Sequence, residues 1–325
     1  MRIETTLDAL RVGDPAVFGG LSVFPLFGQQ AERKYITLDE ALHAGTVEVT
    51  ELGHSGSVPE LRFVNNGDTP VFLLDGEELI GAKQNRVLNL SVMAPARSAV
   101  VIPVSCVEQG RWQSGQTQFQ PGSHVHFASG RSRKVQRVSE SMRQDGGRQS
   151  NQGEVWSDIQ TLFSRLGARS STQAMADAFQ NKASDVERFV GVFRILPEQT
   201  GVAFGLEDKI QGLDLFDSPE TLRRLHPKLI RSWALDAIAR GTSGIKAVET
   251  TSLERFLARI HAATTVQQRG VGMGQDIRLS GPKVAGAALD CFEHLVHLAA
   301  FRTEETSTGS SGSTIVRASL RRTRL

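Results

Sequence analysis

Residues 71–112 read VFLLDGEELIGAKQNRVLNLSVMAPARSAVVIPVSCVEQGRW. Asp75-Gly76 is a tight-turn dipeptide, and Asn66-Gly67 just upstream is another. Each stands between runs rich in β-branched and apolar residues, the pattern of strands joined by hairpin turns. Val87, Leu88, Leu90 and Val92 continue that pattern, and so do Val100, Val101, Ile102 and Val104. The stretch predicts antiparallel sheet, folded as a sandwich or a curled barrel.

The same residues carry more polar chemistry than folding alone requires. Glu77 and Glu78 are adjacent, so on a strand one faces a pocket and the other faces water. Between Leu74, Leu79 and Ile80, a pocket-facing carboxylate has a raised pKa. It suits acid–base work, a ribose diol or a divalent metal. The plainer alternative is a pair with Lys83 or Arg86. Gln84, Asn85 and Arg86 place amides beside a guanidinium, which suits a nucleobase edge, a sugar or a phosphate. Gly81 before them lets a ligand approach the backbone; the alternative use of the amides is to satisfy buried backbone in a bulged strand. Cys106 ends an apolar run with no histidine closer in sequence than His124, so it reads as a core thiol rather than a nucleophile. Glu108 and Arg111 either pair across Gln109-Gly110 or serve the site, and Trp112 either packs or stacks on a base. The catalytic candidates are therefore Glu77, Glu78 and Glu108. The ligand-binding candidates are Gln84, Asn85, Arg86, Arg111 and Trp112; no metal site is assigned.

Upstream, Thr37 or Asp39 caps a short helix that Gly45 ends. Downstream, residues 113–153 are rich in Gly, Ser and Gln and predict loose chain with one polar helix over Arg133–Met142. Glu154–Ala168 has helical spacing with Gly167 as stop, and Ser171–Asn181 is a second helix that Thr172 helps to cap. RFVGVFRIL (188–196) reads as a strand, and residues 201–216 as a hairpin turning at Glu207-Asp208. A helix follows Ser218-Pro219 and stops at Gly241, with Pro227 as a kink point. Another helix is capped by Ser252. ALDCFEHLVHLAAF (288–301) fits either a helix or a hairpin.

Other constellations are weaker. His124 and His126 share a face as H-x-H, but without a third ligand nearby. Gly270, Gly272 and Gly274 lack the strand-before, helix-after context of a dinucleotide fingerprint. Asp214 and Asp217 read as a strand end and a helix cap. Arg131, Arg133, Lys134, Arg137, Arg143 and Arg148 form a basic run that reads as a solvated face, as does the run Arg317, Arg321, Arg322 and Arg324.

Bulk composition limits the function classes. With 37 Lys+Arg against 35 Asp+Glu, the net charge of +2 argues against a polyanion binder. With one tyrosine and 6% aromatics, a stacking surface for single strands is not expected, so nucleic acid is an unlikely partner. No run is long and apolar enough to span a membrane, and MRIETTLDAL lacks a signal-peptide build. Two cysteines 185 positions apart fit neither a disulfide framework nor a zinc site and predict a cytoplasmic protein. The fold class expected is α+β: an antiparallel β-rich N-terminal part, a helical middle, and a second β-sheet with flanking helices. The units are 1–112, β-rich with the candidate site; 113–185, polar loop and helices; 186–302, α+β, packed on the first; and 303–325, a disordered basic tail.

The runs YITLDEAL (35–42), SVPELRFVNNGDTPVFLLDGEELIGAKQNRVLN (57–89), VIPVSCVEQGRW (101–112), GEVWSDI (153–159) and GLDLFDSPE (212–220) resemble a bacterial domain family. It is the first of two families named for association with ADP-ribosylglycohydrolases and rhodanese-phosphatases. The resemblance covers the chain from about residue 20 to 302. It implies a role in NAD or ADP-ribose metabolism, as an enzyme or sensor of a small nucleotide-like ligand, on the strength of gene neighbourhood. The alternative is a non-catalytic interaction module whose polar cluster is structural or a partner surface. The resemblance also favours a hairpin over residues 285–302, turning at Cys291–His294, where a glycine would be expected. It assigns neither a cofactor nor an oligomeric state.

Overall fold

A computed structural model describes residues 2–53, 59–112, 118–144, 146–241 and 247–304; the expected tail and its arginines lie outside these, except for 303 and 304. In chain order the elements are α1 (Arg2–Asp8), β1 (Arg11–Val12), β2 (Ala16–Phe18), β3 (Leu21–Phe27), β4 (Ile36–Thr37), α2 (Leu38–His43), β5 (Val47–Glu51), β6 (Glu60–Asn65), β7 (Val71–Leu73), β8 (Glu77–Gly81), β9 (Arg86–Leu88), β10 (Val92–Ala94), β11 (Ser98–Cys106) and β12 (Phe119–Val125). The helices α3 (Ala128–Gln144), α4 (Gln152–Leu166), α5 (Met175–Asn181) and α6 (Ala183–Val192) follow. The rest is β13 (Gly201–Leu206), β14 (Lys209–Phe216), α7 (Pro219–Arg240), α8 (Thr250–His261), β15 (Thr264–Arg269), β16 (Gln275–Gly281), β17 (Val284–Cys291) and β18 (His294–Arg302). The fold is α+β, and every strand pair is antiparallel except β4–β7.

A nine-stranded sheet runs β1-β3-β13-β14-β18-β17-β16-β15, with β2 also on β3. Its central strands are apolar on both faces because both faces are covered. Phe24, Ala203, Leu213, Leu298 and Ala300 pack with Leu253, Phe256 and Ile260 of α8 and with Ile3 and Leu7 of α1. Their neighbours Val23, Val202, Phe204, Phe216, Ala299 and Phe301 pack with Leu222, Leu225, Leu229 and Trp233 of α7. Phe204 stacks on Trp233 at 4.8 Å between ring centroids, a contact worth about 1 kcal/mol beyond its buried area. Strands β1–β3 enter this sheet from the N-terminus, so the residue 1–112 and 186–302 segments share one sheet.

The opening stretch builds a different body. A six-stranded sheet runs β12-β8-β9-β11-β6-β5, and a bridge between Thr50 and Gln118 brings its edges together. The sheet is thus a curled barrel. Its lining alternates with outward residues: Val47, Val49, Leu61, Phe63, Leu79, Leu88, Ile102, Val104 and Phe119 form one apolar cluster. The small sheet β10-β7-β4 and helix α2 extend that cluster through Val71, Leu73, Val92, Leu38 and Ala41.

Several local signals act as expected. Thr37 caps α2 in a capping box with Glu40, and Gly45 follows in the left-handed region. Gly167 and Gly241 stop α4 and α7 in the same conformation. Ser218 caps α7, and Pro227 lies within that helix without breaking it. Strands β17 and β18 form the hairpin, turning at Phe292-Glu293.

Others are corrected. RFVGVFRIL is no strand: it falls mostly in α6, because Val186, Phe189 and Phe193 recur at helical spacing on one buried stripe. The segment read as loose chain holds strand β12, paired to β8, and the polar helix is longer than expected, Ala128–Gln144. Residues 113–117 and 145 of that segment lie outside the described ones. Thr172 caps nothing; α5 starts at Met175, and the Thr172 hydroxyl donates to Glu108 instead. Ser252 sits inside α8 and accepts from the Ile210 N–H. Asp214 lies inside β14 rather than at its end, and Ser218, not Asp217, is the cap.

Candidate functional site

The two halves of residues 71–112 point to different places. Glu77 and Glu78 leave β8 on opposite faces, yet both are buried. Lys228 of α7 donates to Glu77 Oε1 at 2.8 Å and to Asp39 at 2.7 Å. The Leu74 N–H donates to Glu77 Oε2 at 3.0 Å. Burial pushes the Glu77 carboxyl up, against the pull of Lys228. Glu78 Oε2 lies 2.5 Å from His124 Nε2, and the His124 ring stacks on Phe179 at 3.7 Å. Strand β12 bulges there, and Gly122 permits it: a Cβ at Gly122 would sit 2.9 Å from the Glu78 Cβ. Neither acid is solvated and neither pairs with Lys83 or Arg86. The correction has a topological cause: α7 covers one face of β8 and the bulged β12 supplies a partner on the other.

The remaining candidates do converge, at one mouth of the barrel. Arg86 pairs in register with Leu79 on β8 and with Cys106 on β11. Residues opposite one another in a ladder share a face, so Arg86 points into the barrel with Leu79. Glu51, opposite Leu61 of the lining, points in as well. The Arg86 side chain is fully buried, and its Nη2 lies 3.7 Å from Glu51 Oε1. Its Nη1 donates to Gln84 Oε1 at 3.1 Å, while Nε and Nη2 donate no hydrogen bond among the described residues. Burial lowers the Arg86 pKa from its ordinary value.

Beside it, a second guanidinium locks the loop. Arg111 donates through Nε to Glu108 Oε1 at 2.9 Å and through Nη2 to Glu108 Oε2 at 2.6 Å. Arg111 also reaches Ala82 O at 2.7 Å and Asn85 Oδ1 at 3.1 Å. Glu108 accepts further from the Asn85 N–H at 3.1 Å and Thr172 Oγ1 at 2.9 Å. Burial raises its pKa, but these donors outweigh burial and hold the carboxyl below its ordinary range. It is an ionised clamp. Gly81 and Ala82 take positive φ, which folds residues 81–85 over this pair. The Cys106 thiol donates to Gln84 Oε1 at 3.0 Å, and burial raises its pKa, which disfavours the thiolate. Trp112 is 45% exposed rather than packed. The Lys83 ammonium lies 5.2 Å and the Arg86 guanidinium 5.8 Å from its ring centroid.

A third cluster escaped the sequence reading. Arg131, Lys134, Asp75, Asp214 and His297 are all buried at the junction of the barrel and the nine-stranded sheet. Arg131 donates to Asp75 at 3.0 Å and in a fork to Asp214 at 3.0 and 2.7 Å. Lys134 donates to Asp75 and to the carbonyls of Leu88 at 2.8 Å and Asn89 at 3.2 Å. Its pKa falls to about 8, because burial outweighs Asp75. His297 lies 3.1 Å from Asp214 and 2.9 Å from Ser91, whose hydroxyl also receives the Asp75 N–H. Two acids meet two cations, and burial keeps His297 neutral by lowering its pKa. The expectation of a solvated basic run fails for Arg131 and Lys134. The missed signal was spacing: Arg131, Lys134, Val135 and Val138 fall at i, i+3, i+4 and i+7, on the inward stripe of α3.

Among the described residues, no group of three or more His, Cys, Asp or Glu is placed to hold a metal ion, and no helix is long and apolar enough to cross a membrane. Over residues 9–301 the chain matches the ARG and Rhodanese-Phosphatase-superfamily-associated Protein domain, and it belongs to that family. No curated protein and no solved structure matches it.

Proposed function

We propose that this member of the family binds a nucleotide-like small molecule at the barrel mouth formed by Gln84, Asn85, Arg86, Glu108, Arg111 and Trp112. One observation carries the reading. A buried guanidinium with open donors lies beneath a half-exposed indole at the end of a barrel, and barrel mouths are favoured ligand sites. Trp112 is the stacking wall for a base, Arg86 and Arg111 are the phosphate cations, and the amides of Gln84 and Asn85 take a sugar or a base edge. Glu108, held ionised, takes ribose hydroxyls. Glu78, whose oxygens accept no well-formed hydrogen bond among the described residues, is the candidate acid–base group with His124. Glu77, tied to Lys228, serves that strand by position. The family's name supports ADP-ribose or NAD as the first probes, and two buried free thiols accord with a reducing compartment.

Calorimetric titration with ADP-ribose, NAD and AMP tests this. Trp112→Ala is expected to weaken the best of them about tenfold, the lower end of base–aromatic stacking, and Arg86→Met to weaken it further. If none of the three binds at millimolar concentration, the reading falls. A second reading, a non-catalytic interaction module, draws on the saturation of Glu77 and Glu108 by internal partners. It expects Glu77→Gln, Glu78→Gln and Arg86→Ala to lower stability with no small-molecule binding to lose.

A further inference from the structure

A cleft of about 480 Å³ is separate from the barrel mouth: none of the residues discussed there lines it. Its walls come from α1, the segment after β3, the end of β14 and the β17–β18 turn; Arg2, Gln29, Gln30, Asp217, Glu293 and His294 supply its polar groups. That volume lies in the range of small-molecule sites.

Asp217 is the group to explain. The residue is buried, 6% exposed. Among the described residues, Tyr35 supplies the one side-chain hydrogen bond to it, at 2.5 Å on Oδ1, and no cation pairs with it. Its backbone is fixed on both sides: the Asp217 carbonyl accepts from Ala31 N at 2.8 Å, and its N–H donates to Val296 O at 3.2 Å. A buried carboxylate with no cation is unfavourable unless a cation arrives. Burial pushes its pKa up to about 6.

The turn across the cleft supplies a second carboxylate, Glu293. Phe292 and Glu293 both take left-handed φ, 53° and 67°, and neither is glycine. Consecutive L-residues in that region are strained, and such strain gathers at functional sites. The turn directs Glu293 to the cleft and stacks Phe292 on Tyr35, rings 6.4 Å apart at 7°, the same Tyr35 that orients Asp217. The lining cation, Arg2, is already held by Asp290. Arg33, whose charge also reaches Asp217, is itself held by Glu40 and Glu220, so the cleft presents net negative charge framed by carboxamides and threonine hydroxyls.

We propose that this cleft is a binding site for a small organic cation bearing a protonated amine, which pairs with Asp217 at the floor and Glu293 at the rim. Amide and hydroxyl groups of Gln29, Gln30 and Thr200 take its remaining polar atoms. The site is independent of the barrel mouth, so either assignment can fail alone.

The probe is spermidine, with arginine amide as a second amine and 1,4-butanediol as an uncharged control, titrated calorimetrically into the full chain. Spermidine or arginine amide is expected to bind and butanediol not to bind. Asp217→Asn is expected to weaken the amine at least tenfold at pH 7.5, and Glu293→Gln several-fold. Acidification from pH 7.5 to 5 protonates Asp217 and lowers the wild-type affinity about tenfold, in proportion to the charged fraction. The charged or titratable groups facing Asp217 are Tyr35, Arg33, Arg2, Cys291, Glu293 and His294. His294→Gln is run to assign the pH step, which is expected to persist in it. Circular dichroism checks that each variant folds. If Asp217→Asn does not fold, Glu293→Gln, on an exposed turn, decides the matter. The proposal is overturned if neither amine binds, if butanediol binds equally well, or if the folded variants bind as the wild type does.

Discussion

Replacing Arg131 with methionine removes the cation that ties the barrel to the nine-stranded sheet. Methionine keeps much of the stem volume, so the cost isolates the charge. Asp75 retains Lys134, but Asp214 is left with His297, which burial holds neutral. Breaking a buried pair by deleting one partner costs about 3–5 kcal/mol, because the remaining charge stays desolvated. Unfolding entropy of about 2.1 cal/mol/K per residue gives about 0.7 kcal/mol/K for this chain. A 4 kcal/mol loss therefore lowers Tm by about 6 °C. Asp214 now sits below its ordinary pKa, since Arg131 and His297 outweigh burial. Without Arg131, its folded pKa rises above the unfolded value. A raised carboxyl destabilises at high pH and recovers as pH falls through its folded pKa, so the deficit of the variant shrinks from pH 7.5 to pH 5. Urea denaturation at both pH values reads this out. Adding Asp214→Leu to Arg131→Met removes the stranded charge and is expected to restore part of the loss. A deficit below about 1 kcal/mol at pH 7.5, against the 3–5 that such pairs cost, or strict additivity of the two changes, refutes the reasoning.

Burial lowers the His226 pKa to about 4, so the unfolded chain takes up a proton first as pH falls below the ordinary imidazole range, and stability is lost there. By pH 5 this costs about 2 kcal/mol, while Asp217, raised to about 6, returns about 1 kcal/mol over the same window; urea midpoints of His226→Gln against wild type at pH 7.5 and 5 should separate the two. Glu293→Gly relieves the left-handed φ and is expected to add about 1 kcal/mol of stability, by calorimetry, while weakening amine binding. Gly272→Ala places a Cβ 2.1 Å from the Met93 carbonyl, where the β15–β16 turn meets β10. It should cost about 2 kcal/mol or more in a urea titration, with Gly191→Ala, where a Cβ meets nothing within 4 Å, as the reference.

Local signals were legible where one turn of chain decides the outcome. The Thr37–Glu40 capping box, the stop glycines 167 and 241, the Ser218-Pro219 start and the apolar stripe Val155, Ile159, Leu162 and Leu166 need no tertiary information. The failures occur where distant chain overrides local pattern. Strand β12, FQPGSHV, has too few apolar residues to announce itself; it forms because β8 offers an edge and Thr50 closes the ring. Strand β3 joins β13 across more than 170 residues, a pairing that no window can see. Arg131 and Lys134 looked solvated by residue type, and only their place on the stripe with Val135 and Val138 marks them as buried. The candidate site was legible as a stretch but not as a geometry. Glu77 is taken up by Lys228 of α7 and Glu78 by His124, while Arg86 turns to Gln84 and Glu51, so its acids and its cations part company.

Charge pairing ranks the remaining groups. Among the described residues, the buried acids Asp75, Glu77, Glu78, Glu108, Asp214 and Asp276 each have a cation or an imidazole within 4 Å. Asp217 and Asp236 do not, and burial raises both. Their situations differ. Asp236 lies on α7 and receives the Ser129 N–H at 3.0 Å, so it finishes the start of α3, and it does not line the cleft of Asp217. Asp217 ends a strand, is oriented by a buried tyrosine and lines open volume opposite a strained turn. A chain that supplies partners to six buried acids and withholds one at a cleft has left that one for something that arrives from outside. Among the cations, hydrogen bonding rather than distance singles out Arg86: Glu51 lies 3.7 Å away, yet Nε and Nη2 donate to nothing among the described residues, while Arg111 is bracketed by Glu108. The two groups of opposite sign that the fold leaves incomplete lie in separate places. A ligand with both an anionic and a cationic end would therefore have to engage them one molecule at a time, and simultaneous titration with ADP-ribose and spermidine should show two independent stoichiometric events rather than competition.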